Sequence, residues 1–288
     1  MREILESINE NTWIISDTHF GHANILSFEP CRLTQMRIDG YEADEHDQWI
    51  IDNWNTVVQP GSTVLHLGDF AFKPGFYTPK FNKCYEEKFK NVSSKEFKDM
   101  IKIIKPRSLD EIMHFLLSER KGASDGMNKD QFKSIISNYI PEQEYYQRYE
   151  DLLNGNIVLI LGNHDPKPKQ FLNRNIKVID GFYHFSGDEF EILNKVQHPD
   201  PMFSGFVKQI GDKNYLFCHY ALFNNDSWDL NNKMIAPRMK VLETIYKANG
   251  CDCNIHGHLH SNKSIFEDSI NVCFEHLSYM PQKLKSLI

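Results

Sequence analysis

Five short apolar runs rich in β-branched residues each stop at a side chain able to bind a metal ion, and this repeat constrains the chain more than any other feature. Trp13-Ile14-Ile15 leads into Ser16-Asp17-Thr18-His19, where Asp17 and His19, two residues apart on an extended segment, project to one side and could grip one ion. Thr63 to Leu67 runs into Gly68-Asp69, a glycine turn that sets a carboxylate at the strand end, where it could bridge two ions. Ile157 to Leu161 runs into Gly162-Asn163-His164-Asp165. Tyr215 to Cys218 ends in His219, and Cys253 to His256 ends in Gly257-His258-Leu259-His260.

A lone Asp-x-His or His-x-His carries little information. Five in series are different, because treating them all as polar strand ends meeting solvent requires five coincidences of residue type and position. That plainer explanation is kept for His22, His46, His114, His184, His198 and His276, and a structural role is expected for His66 and His256. Helical stretches separate several of the runs. The expectation is therefore an α/β core whose ligand-bearing loops gather at the carboxyl ends of the strands.

Composition limits the alternatives. At 288 residues, 41% apolar and 25% charged, the chain can bury a sizeable core and belongs with ordinary globular proteins. Met1 to Asn11 has no continuous apolar stretch of the kind a signal peptide needs, and no segment approaches the roughly 20 apolar residues of a membrane span. A cytoplasmic protein with no membrane partner is expected. The six cysteines lack the density of a disulfide framework, so reduced thiols are the default; Cys251-x-Cys253 has no second half to complete a zinc site. A net charge of −7 repels nucleic acid unless a local basic patch compensates.

With Asp-x-His, Gly-Asp, Gly-Asn-His-Asp, His and Gly-His-x-His in that order, residues 17 to 260 resemble the calcineurin-like metallophosphoesterases. The stretch Ser16 to Ile25, with Asn53-Trp54-Asn55 and His66 to Phe70, is similar to a bacterial and phage branch of small phosphoesterases. The resemblance implies a single-domain, four-layered α/β/β/α sandwich of two mixed β-sheets flanked by helices. It implies a first metal held by Asp17, His19, Asp69 and His260, and a second held by Asp69, Asn163, His219 and His258. Asp69 then bridges, and hydrolysis proceeds by attack of a metal-bridging hydroxide. His164 is left to stabilise charge or to protonate the leaving group as a general acid. Asp165 either orients that imidazole or caps the turn before Pro166, and His22 is a candidate for a supporting or substrate contact. Oxygen and nitrogen donors without thiolate suit two divalent ions, Mn2+ first, with Fe or Zn as alternatives.

The 93 residues between Asp69 and Asn163 exceed what a crossover between neighbouring strands requires. Ser93-x-x-Glu96 and Ser108-x-x-Glu111 read as capping boxes opening helices, so residues 75–140 are expected to form a helical insertion. It is slightly basic and is either a solvated surface, a lid selecting an anionic substrate, or a contact between copies in a homo-oligomer. A further helix from Pro141 through Tyr145, Tyr149 and Leu152 belongs to the core and closes at Gly155. Asn224 to Trp228 reads as a loop with Trp228 as either an aromatic wall or a core anchor. Ile270 to Phe274 reads as the final strand.

The leading expectation is a phosphomonoesterase or phosphodiesterase acting on a small phosphate ester such as a nucleotide. A nuclease acting on DNA or RNA is the alternative among enzymes, and it requires a basic, aromatic-lined groove. A non-catalytic scaffold with the same fold is the alternative outside them, and it is expected to lose ligands that are all present here.

Overall fold

The computed structural model describes residues 1–22, 24–71, 149–165, 176–187, 189–193, 203–223 and 227–288. The insertion expected at 75–140, Asn224 to Asp226 and the Trp228 side chain lie outside the described residues. In chain order the elements are α1 (Arg2–Ser7), β1 (Trp13–Ile15), α2 (Ile25–Phe28), α3 (Pro30–Ile38), α4 (His46–Val57), β2 (Thr63–His66), β3 (Asn156–Leu159), β4 (Ile176–Val178), β5 (Phe182–Ser186), β6 (Glu189–Ile192), β7 (Gly205–Ile210), β8 (Lys213–Cys218), α5 (Ser227–Asn231), α6 (Ile235–Ala248), β9 (Cys253–His256), β10 (Ser269–Asn271) and β11 (Gln282–Lys283).

These build an α/β fold of two mixed sheets flanked by helices. The first sheet has the order β11-β1-β2-β3-β4, and the second β10-β9-β8-β7-β5-β6. β1, β2 and β3 run parallel, with Ile14 beside Leu65 and Leu65 beside Val158. Strands that are parallel and covered on both faces become continuous apolar runs, the signal that marks them in the sequence. β8 and β9 are likewise parallel neighbours, so their carboxyl ends also coincide.

Alternation along β7 and β8 separates the layers. Phe206, Tyr215 and Phe217 join the core cluster that contains Ile14, Ile15, Leu65 and Leu159 of the first sheet. Val207, Leu216 and Cys218 point the other way and pack with Ile235, Met239, Leu242 and Ile245 of α6. Trp49, Ile50 and Trp54 of α4 pack into the first cluster, and the Trp54 indole N–H donates to the Asn154 carbonyl at 2.9 Å. Residues 149–152 are helical, within the helix expected before β3.

Two expectations need correction. Ile270 to Phe274 does not supply the last strand: β10 is only Ser269–Asn271, and the chain continues to β11, which pairs antiparallel with β1. Residues 227 and 228, at the end of the stretch read as loop, open the helix α5, Ser227–Asn231. Among the described residues no helix is long and apolar enough to cross a membrane.

Candidate metal centre

The first two motif loops run side by side beyond β1 and β2. Asp17 N donates to Gly68 O, His19 N to Asp69 O and Phe20 N to Phe70 O, at 2.9 to 3.0 Å. The last two motifs are joined by Gly257 N donating to His219 O at 2.9 Å. The sheets meet where His258 N donates to Asp17 Oδ2 at 2.9 Å and Phe274 N donates to Ser16 O at 3.0 Å. Five of the expected ligands, Asp17, His19, Asp69, His258 and His260, have left-handed backbone with φ between 51° and 72°. Asp and His tolerate that region better than most residues, yet each such position costs of order 1–3 kcal/mol and needs surrounding bonds to hold it.

Two glycines allow the loops to approach so closely. A Cβ on Gly162 would lie 2.2 Å from Asp69 Oδ1, and one on Gly257 would lie 2.3 Å from Asp17 Oδ2.

The result is a buried focus of electron pairs. Asp17 Oδ2 accepts from Ser16 Oγ at 2.5 Å, His258 N at 2.9 Å and Cys273 Sγ at 3.2 Å. Its other oxygen, Oδ1, is buried without a hydrogen-bond partner among the described residues, 3.7 Å from both His19 Nε2 and His260 Nε2. Those two imidazole nitrogens face each other at 3.2 Å. Asp69 Oδ1 accepts from His164 N at 2.8 Å, and its Oδ2 lies 3.6 Å from both His19 Nε2 and His219 Nε2. His219 Nδ1 donates to the Leu67 carbonyl at 2.8 Å, so in the neutral ring a metal ligand requires, the Nε2 lone pair faces Asn163 Oδ1 at 3.0 Å. A cation between them resolves such opposed lone pairs. The donor set fits a divalent metal.

Electrostatics agree. Burial lowers the His19 pKa to about 4, keeping the ring neutral as a ligand must be. Burial works against ionisation of Asp17 and Asp69, but the surrounding imidazoles outweigh it and hold both carboxyls below their ordinary range. At His260, burial opposes a charge, while Glu275 and Asp17 favour one and raise its pKa to about 9. This is a place that attracts positive charge.

The atoms of Asp17, His19 and His260 lie within 4.8 Å of one another, as do those of Asp17, Asp69 and His219, so Asp17 belongs to both groups. Asn163 joins through His219. The chain matches no protein-family model. It is 39% identical over 57 residues to an uncharacterized protein, MJ1445, of Methanocaldococcus jannaschii, a match covering 20% of this chain and 28% of that protein. It is 36% identical over 61 residues to the gene 66 protein of Mycobacterium phage L5, covering 21% and 26%. The chain thus spans about a quarter of either relative's length. Among solved structures, it aligns with AQ665, a protein of unknown function from Aquifex aeolicus, at a TM-score of 0.46 and 20% identity over 94% of this chain and 93% of that one.

The remaining expected residues take distinct places. His164 is exposed, with its ring centroid 5.6 Å from that of His19, at the open side of the cluster. The His22 ring lies 5.4 Å from His19 and 6.3 Å from His164. His258 contributes its backbone N–H to Asp17, and its ring centroid is 5.1 Å from that of His219, while its Nε2 is engaged with Asp229 Oδ1 at 3.0 Å. Asp165 holds backbone: Oδ1 accepts from Phe70 N and Ala71 N at 2.8 and 3.3 Å, and Oδ2 from Gly162 N at 2.8 Å. It ties the second motif loop to the third. His66 is structural, accepting from Gly68 N at 3.2 Å through Nδ1 and meeting Thr18 Oγ1 at 3.1 Å through Nε2.

Sequence reasoning missed Arg32, Asp229 and Glu275. Arg32 is fully buried and donates to Asp17 O at 2.6 Å, Thr18 O at 3.1 Å and Glu275 Oε1 at 2.7 Å. It is what holds the left-handed first loop in place. Glu275 did carry a signal, since it follows Val272-Cys273-Phe274 as the candidate ligands follow their runs. Asp229, on a five-residue helix, had none.

Proposed function

We propose that the chain is a metal-dependent phosphoesterase of the calcineurin-like type, hydrolysing phosphomonoesters or phosphodiesters of small molecules such as nucleotides. The observation that carries the reading is the convergence of Asp17 Oδ1, His19 Nε2, Asp69 Oδ2, His219 Nε2 and His260 Nε2 on one buried focus, with Asp69 Oδ2 equidistant from His19 and His219. In this reading Asp17, His19, Asp69 and His260 hold one divalent ion, and Asp69, Asn163, His219 and His258 hold a second. Oxygen and nitrogen donors favour Mn2+, with Fe or Zn as alternatives. Bound there, the ions supply Lewis acidity to phosphoryl oxygens and lower the pKa of water.

The chain's own groups do the rest. Three donors saturate Asp17 Oδ2 and fix the direction of Oδ1. Asp69 Oδ1 holds the His164 backbone N–H at 2.8 Å, so one carboxylate positions both a ligand oxygen and the neighbouring imidazole. His164, exposed beside the cluster, donates a proton to the leaving-group oxygen. Selectivity among phosphate esters resides in the surrounding loops, because this machinery treats any phosphate alike.

Hydrolysis of bis-p-nitrophenyl phosphate and p-nitrophenyl phosphate by metal-stripped protein, with and without added Mn2+, tests the reading. Mn2+-dependent turnover is expected, abolished in Asp69→Asn and lowered at least about 100-fold in His164→Ala. The absence of turnover with Mn2+, Fe2+ and Zn2+ alike would overturn it in favour of a scaffold.

A further inference from the structure

Which nitrogen of an imidazole faces a metal is decided by what holds the other one. His219 is held by a backbone carbonyl. His258 and His260, two residues apart on the same loop, are instead held by carboxylates from two other segments. His258 Nε2 lies 3.0 Å from Asp229 Oδ1 on α5, with both side chains at least nine-tenths buried. His260 presents the opposite nitrogen: its Nδ1 lies 3.4 Å from Glu275 Oε1, while its Nε2 faces His19 and Asp17.

An ionised carboxylate only accepts hydrogen bonds, so each ring must carry its proton on the side facing its carboxylate. Glu275 Oε1 is paired with the Arg32 guanidinium at 2.6 Å, so this oxygen accepts and the proton between it and His260 belongs to the ring. The same guanidinium argues against a further cation among Glu29, His260 and Glu275, whose ligand atoms also lie within 4.8 Å of one another, because Arg32 already supplies the positive charge.

We infer that Asp229 and Glu275 are positioning residues that lock opposite tautomers on adjacent ligands. Asp229 fixes His258 as the Nε2–H form and leaves Nδ1 as its ligand atom. Glu275 fixes His260 as the Nδ1–H form and leaves Nε2. One short loop can therefore serve two ions with histidines two residues apart, since the two rings offer different nitrogens. Carboxylate partners also raise the basicity of the ligand nitrogen and so its affinity for a divalent cation. Both the tautomers, read in the metal-loaded chain, and their consequence for metal binding rest on the two-metal reading above.

The test uses the full chain labelled with 15N-histidine and loaded with Zn2+, followed by long-range 1H–15N correlation spectra. One cluster histidine is expected as the Nε2–H tautomer, perturbed by Asp229→Asn, and another as the Nδ1–H tautomer, perturbed by Glu275→Gln. Calorimetric titration with Zn2+ should show each variant losing about 10–100-fold in affinity at one site while the other site is retained. Two rings with the same tautomer, or variants binding within twofold of the unsubstituted chain, would overturn the positioning roles and leave the metal site standing. An unsubstituted chain that takes up no divalent cation would instead overturn the metal reading itself. If either variant fails to fold, the tautomers of the unsubstituted chain still decide.

Discussion

Gly162→Ala should disable the cluster without any change to a ligand. The added Cβ would lie 2.2 Å from Asp69 Oδ1 and 2.4 Å from Asp69 N, where ordinary contact begins near 3.4 Å. The Asp69 carboxylate must therefore withdraw by roughly 3.4 − 2.2 = 1.2 Å. It cannot do so alone, because Oδ1 accepts from His164 N at 2.8 Å and Oδ2 lies 3.6 Å from both His19 and His219. Overpacking of this kind costs about 1–3 kcal/mol of stability. The larger effect is on function, since a misplacement of about 1 Å costs on the order of 100-fold. Calorimetric titration with Mn2+, together with turnover of bis-p-nitrophenyl phosphate, measures both. Gly181→Ala is the control, because a Cβ there meets nothing nearer than the Tyr183 hydroxyl at 3.4 Å. Metal affinity and turnover in Gly162→Ala within twofold of the Gly181→Ala control would refute the reasoning.

Saturation with Mn2+ at about 100 times its dissociation constant should add about 2.7 kcal/mol, read as a rise of roughly 4–5 °C in Tm that chelator reverses. Arg32→Met leaves Glu275 buried without its partner and should cost about 3–5 kcal/mol in urea unfolding, less when Glu275→Gln is combined with it. Burial lowers the Lys208 pKa from 10.5 to about 8, with its ammonium against the Leu5 carbonyl and over the Phe185 ring. Because the folded pKa is the lower one, the cost of burying that charge is present in full below pH 8 and vanishes as pH rises to 10.5. The stability of Lys208→Met relative to the unsubstituted chain should therefore fall by about 2 kcal/mol across that range, measured by denaturant unfolding at each pH.

The parallel strands β1, β2 and β3 were legible because strands buried on both faces leave apolar runs, whereas β8 opens on Lys213-Asn214 and β9 carries Asn254, so only parts of these two read that way. The candidate ligands were marked in the sequence by standing where such runs end. β5 and β6 were not: Phe182–Ser186 is buried or half-buried throughout yet carries His184 and Ser186, and the edge strand Glu189–Ile192 is exposed or half-buried along its whole length. The two-residue β11 is too short to leave any period, and it pairs with a strand at the other end of the chain, Lys283 beside Trp13 and Gln282 beside Ile14. The bonds behind the ligands were hidden for the same reason: Arg32 to Glu275 and Asp229 to His258 join distant segments, and no local spacing records them. Asp165 shows the limit of local reading. Adjacent to His164 in sequence, it holds the backbone of Phe70 and Ala71 on another loop.

Electron paramagnetic resonance of the Mn2+-loaded chain, with metal content measured on the same sample, tests the central claim most directly. Two Mn2+ per chain with an exchange-coupled spectrum, reverting to an uncoupled six-line signal in Asp69→Asn, is the predicted result. A single uncoupled Mn2+, or none, in the unsubstituted chain would contradict a dinuclear centre built on Asp69.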